Sequence, residues 1–90
     1  MTDLQKLAGA SGMVIQESGA GAVTGLTVEY FIARETSTIT VCTGLDADGN
    51  AVDFKVTQNW DSLIAGDECI PPTGSIIQAI TLTVGSIKRF

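Results

Sequence analysis

Histidine is absent from this 90-residue chain. With it go the commonest general base near neutral pH and the commonest imidazole metal ligand. Basic residues are scarce: five stand against ten acidic ones, a formal net charge of −5. Phosphate neutralisation needs clustered lysine and arginine, so no nucleic-acid partner is expected. Lys88 and Arg89 are the single adjacent basic pair. The two cysteines, Cys42 and Cys69, fall short of the four or more of a disulfide-stapled secreted domain, and free buried thiols are expected. No run of about 18 apolar residues is present to span a membrane, so no membrane association is expected. The first stretch, MTDLQKLAGASGMVIQ, carries Asp3 and lacks the apolar core of a signal peptide, which reads as a chain made and retained without a secretory signal. Cys-x-x-Cys, phosphate-loop and nucleophile-elbow patterns are missing too. The chain is therefore read as no enzyme, with no catalytic residue, no cofactor and no metal ligand.

What is present is strand pattern in a chain that is 44% hydrophobic. Residues 26–33 (LTVEYFIA) alternate Leu26, Val28, Tyr30 and Ile32 on one face, and residues 37–45 place Ile39 and Val41 together. Residues 51–57 read as a third strand with Val52, Phe54 and Val56 inward and Asp53 and Lys55 outward. In the long C-terminal stretch 74–90, Ile76, Ile80, Leu82 and Val84 share one face and Ile77, Ala79, Thr81 and Thr83 the other. The expected fold is all-β, a small antiparallel sandwich or partly closed barrel with no interior helix. Five glycines between Gly9 and Gly25 mark residues 1–22 as a glycine-rich arm holding one short strand, after a helical turn at Leu4, Leu7 and Ala8; residues 23–90 form the β domain.

Three acidic features invite a chemical reading. The DADGN at 46–50 starts like a calcium loop, but the position that should carry a bidentate glutamate is Thr57, so a hairpin turn closed by Asp48 and Gly49 is the expectation. Asp67 and Glu68 are adjacent, hence on opposite faces of a strand and unable to work as a pair on one substrate. Asp61 belongs with them on a solvated rim.

Interface candidates are Trp60, Ile76, Ile80, Leu82, Lys88, Arg89 and Phe90. Trp60 follows a strand and reads as a lid on the core, with a recognition role as the other reading. Phe90 after Lys88 and Arg89 offers an aromatic anchor to a neighbour. A 90-residue chain buries only about 60 to 65% of the surface that its unfolded form exposes. Stabilisation by self-association is therefore expected, with a trimer as the anticipated state.

Residues 36–56 (TSTITVCTGLDADGNAVDFKV), Ala65 with Gly66, and residues 77–87 (IQAITLTVGSI) resemble short proteins encoded among the virion genes of tailed bacteriophages. The likeness covers about two-thirds of the chain, with a glycine-rich start and two blocks flanking a variable loop. Ile87, Lys88, Arg89 and Phe90 replace the more hydrophobic ending usual there. The resemblance implies a structural part of a phage particle, assembled in the host cytoplasm: a capsid decoration, head fibre or connector component whose partners are other virion proteins. The alternative is a small carbohydrate- or receptor-binding β module.

Overall fold

The computed structural model describes residues 13–90; the helical turn read at Leu4, Leu7 and Ala8 lies outside them. Nine short strands follow: β1 Val14–Glu17, β2 Ala22–Val23, β3 Phe31–Ala33, β4 Ser37–Leu45, β5 Ala51–Asp53, β6 Ser62–Leu63, β7 Glu68–Cys69, β8 Ile76–Val84 and β9 Ser86–Arg89. Two helical turns interrupt them, a 3-10 turn at Ser18–Ala20 and α1 Phe54–Thr57. The first sheet runs β1-β9-β3-β7, and the second runs β2-β8-β4-β5 with β6 also along β4. Every pairing is antiparallel. The chain is the small all-β sandwich that its alternation implied.

Inward residues of both sheets meet in one core. Phe31, Ala33, Cys69 and Ile87 come from the first sheet, and Ile39, Cys42, Ile77, Ile80 and Leu82 from the second. The two longest strands, β4 and β8, pair along the middle of the second sheet and are rich in isoleucine, valine and threonine. Branching at Cβ suits the pleated surface and is costly in a helix.

The sheets are joined at a one-residue corner. Gly85 lies between β8 in one sheet and β9 in the other, with φ of 93°. A Cβ there would lie 2.7 Å from Ser37 Cα and 2.5 Å from Thr36 O, so the corner demands glycine for its backbone angle and for space. Beyond the corner, the Ser37 hydroxyl accepts from Ser86 N at 3.1 Å and holds β9 against β4.

The structure corrects several faces. Register between β4 and β8 shifts at three places, from Thr38 to Ile39, from Ile39 to Val41 and from Thr43 to Gly44. Each shift inserts a residue and reverses the alternation. Ile39 and Cys42 are consequently both buried while Val41 is 39% exposed, and Ile77 joins Ile80 and Leu82 in the core while Val84 turns to solvent. Residues 26–33 are not one strand either. Val28 bridges to Ile77 in the second sheet, after which the chain crosses to β3 in the first, so Val28, Phe31 and Ala33 are buried and Tyr30 and Ile32 face outward.

The expected third strand stops at Asp53, whose carboxylate accepts from Val56 N and caps α1. The turn leaves Phe54 buried and Val56 70% exposed. Asn59 then takes φ of 61°, and Trp60 N donates to Lys55 O at 3.1 Å, a left-handed helix end that returns Trp60 to the core.

Residues 13–22 are woven into the sandwich. β1 pairs with β9 over four residues, and a boundary at 22/23 falls inside β2. Gln16 of β1 is buried and donates through Nε2 to Ile80 O at 2.9 Å, tying one sheet to the other. Gly21 here and Gly25 beyond β2 take φ of 70°.

Candidate functional site

The outer face of the first sheet carries part of the exposed apolar surface, Met13, Ile15 and Ile70, while Val41, Val56, Ile64 and Val84 are exposed elsewhere. Directly opposed residues of paired strands share a face, so the register places Ile15, Lys88, Ile32 and Glu68 in one row across β1, β9, β3 and β7. Ile15 is 46% exposed, and Lys88 and Ile32 are half-buried. In the neighbouring row Phe90 N donates to Tyr30 O, and the two rings stack with centroids 4.7 Å apart and planes 12° apart. Ile70, 60% exposed, follows β7 beside them. On the other side, Arg34 binds Ser86 Oγ at 2.8 Å and Glu17 at 3.4 Å, which closes that border with polar groups. This is the one ion pair among the described residues.

Among the described residues β1 is also an edge strand of this sheet. It exposes Val14 and Ile15, each 46%, next to Met13 at 39%, and holds neither lysine nor proline. Natural edges are usually blunted by such residues. On its inner side Val14 opposes Arg89, whose guanidinium is lowered below its ordinary pKa by burial. Arg89 Nε and Gln16 Oε1 are buried without a hydrogen-bond partner among the described residues.

The interface residues chosen from sequence divide sharply. Lys88 and Phe90 lie on the outer face, and Arg89 points inward from the same strand. Ile80 and Leu82 are corrected: they are 0% and 2% exposed and belong to the core because the face they share packs against the first sheet. Ile76 is half-buried at the start of β8. Trp60 packs edge-on to Phe31 at 5.5 Å and beside Phe54 at 6.0 Å, as a lid on the core. Tyr30, Ile32, Ile15 and Glu68 were missed; only the odd-even break after Val28 could have revealed the first two.

The other candidate chemistry is used internally. Asp46 Oδ1 accepts from Asp48 N and from Asn50 N, both at 2.9 Å, so its carboxylate organises the hairpin backbone. Gly49 has φ of 83° there. Replacing Gly49 by valine should destabilise the fold by about 1 to 2 kcal/mol through backbone strain, since no atom crowds the position. A chelator should leave the melting temperature unchanged; thermal melts with and without it check both statements. Asp67 Oδ2 accepts from Ile64 N at 2.9 Å in a second turn. Among the described residues no group of three or more His, Cys, Asp or Glu side chains is placed to hold a metal.

Cys42 and Cys69 are free and buried. Burial, then the nearby Cys69 and Asp53, push the Cys42 thiol from 9.0 up to about 12. Burial, then Asp67, raise Cys69 to about 12. Thiolate is the reactive form, so both thiols should label slowly in the native protein and at once in denaturant. The folded state holds these protons more tightly than the unfolded one. Their contribution to stability is therefore complete below pH 9 and declines as the pH rises toward 12. Denaturant titrations at pH 8 and pH 10.5 should show a lower midpoint at the higher pH, and a smaller loss in Cys42→Ala.

Two grooves flank the loop containing Pro71 and Pro72. One, of about 400 Å³, is lined by Glu29, Tyr30, Ile70 and Ser75; the other, of about 300 Å³, by Ala47, Val52, Phe54 and Gln58. No protein-family model, no curated protein and no solved structure matches this chain.

Proposed function

We propose that this chain is a structural subunit of a tailed-bacteriophage particle, a capsid decoration or fibre-anchoring component that works by self-association and surface coverage without catalysis. The observation that carries the reading is the run of exposed apolar residues Met13, Val14 and Ile15 along β1, with Ile70 on the outer face of the same sheet. Exposed apolar patches mark contact surfaces, and small domains gain stability by assembling. The resemblance of residues 36–56 and 77–87 to short virion proteins supplies the particle as the place of assembly. Mass spectrometry of purified particles from a culture encoding the chain tests this. Its peptides are expected at a constant ratio to the major coat protein. Peptides found in the infected cell but absent from particles would overturn the reading.

A recognition module is the second reading, favoured by the groove of about 400 Å³ beside Tyr30. Trp60 takes no part in it, because its ring lies against Phe31 and Phe54.

A further inference from the structure

The row across the outer face of the first sheet reads apolar, cation, apolar, anion: Ile15, Lys88, Ile32, Glu68. Lys88 and Glu68 are separated by β3, about 10 Å across two strand spacings. That is too far for a direct bridge, and neither forms an ion pair among the described residues. The order of this row matters because its last three members, Lys88, Ile32 and Glu68, are complementary to themselves. Rotation by 180° about an axis parallel to the strands and above β3 exchanges the places of β9 and β7.

We propose that this face packs against the same face of a second copy of the chain across a two-fold axis over Ile32, so that each Lys88 meets the partner's Glu68. The inference rests on the reading of the protein as a self-associating subunit and names the surface that does it. Ile32 packs on its own counterpart at the axis. In the adjacent row the same rotation sets Phe90 over the partner's Ile70, with Tyr30 near the axis, so aromatic meets aliphatic surface. Over β9, β3 and β7 both rows match, as an isologous contact requires, and β1 with Ile15 lies outside the paired strands. Moving the axis one strand, onto β9, would set Lys88 against Lys88, an arrangement that like-charge repulsion opposes. Pairing through β1 alone offers four residues, about 14 Å of edge. The broad face is the larger surface, and the two-fold takes the place of the trimer expected from sequence.

Sedimentation velocity over a hundredfold concentration range tests the pairing. Wild type should sediment as a monomer–dimer equilibrium. Lys88→Glu and Glu68→Lys should each raise the dissociation constant by about tenfold or more. The double variant, with the two charges exchanged, should return it toward wild type. Circular dichroism melts establish that each variant is folded, and Ile32→Cys supplies a second measurement. At the axis its thiols should cross-link two copies on mild oxidation, while Cys42 and Cys69 stay buried. A wild type that stays monomeric, or an oligomer indifferent to both single reversals, would overturn the inference. So would a double variant no better than the singles. An indifferent oligomer would leave the particle reading standing, and absence from particles would leave a measured Lys88–Glu68 dimer intact.

Discussion

Valine at Gly85 should lower stability by roughly 2 to 6 kcal/mol, with alanine intermediate. The corner between β8 and β9 holds φ of 93°, which costs a residue with a Cβ about 1 to 3 kcal/mol. Added atoms would also press on the backbone of Thr36 and Ser37, and overpacking of this kind costs roughly 1 to 3 kcal/mol more. Small domains lie toward the low end of the usual range of about 5 to 15 kcal/mol, so the combined loss is a large share of the stability. Since β9 is bonded to both β1 and β3, displacing the corner disrupts the whole first sheet. Circular dichroism melts of Gly85→Val, Gly85→Ala and Gly19→Ala check this. Gly19 meets nothing within 4 Å and serves as the neutral control. A Gly85→Val melting temperature within a few degrees of wild type would refute the account.

Phe31→Ala should lower stability by about 3 to 5 kcal/mol. Phe31 is fully buried, lies at the centre of the first sheet and receives the edge of Trp60 at 5.5 Å. Removing the ring opens a cavity and withdraws one wall of the pocket that holds the tryptophan. Urea titration followed by the emission of Trp60, the single tryptophan, reads both effects. The midpoint should fall, and the native emission should move toward that of the unfolded chain. A loss below about 1 kcal/mol would show that the site collapses around the missing ring.

The candidate surface was partly legible in the sequence. Lys88 and Phe90 stood out because a basic pair followed by an aromatic is unusual in so acidic a chain. Their neighbours did not, since Ile15, Ile32 and Glu68 are brought beside Lys88 only by the register of strands far apart in the chain. Val41, Ile77 and Val84 were misplaced for a local reason. Strict alternation predicts one face per strand, and each register shift between β4 and β8 reverses it. Phe54 and Val56 parted company because Asp53 caps a helical turn where a strand was expected.

Strand-rich composition, alternation and turn residues by themselves determined an all-β fold, sandwich or partly closed barrel, the hairpin at 46–50 and the expected burial of both thiols. These follow from local preferences: branching at Cβ, positive φ at Gly49, the small apolar bulk of cysteine. Only the tertiary structure decided which side of each strand is core, that β1 belongs to the sandwich, and that Tyr30, Ile32, Lys88 and Phe90 share one outer face. The physical reason is that faces are set by pairing between distant strands. A single inserted residue, or a one-residue corner such as Gly85, turns every following side chain over at little local energetic cost.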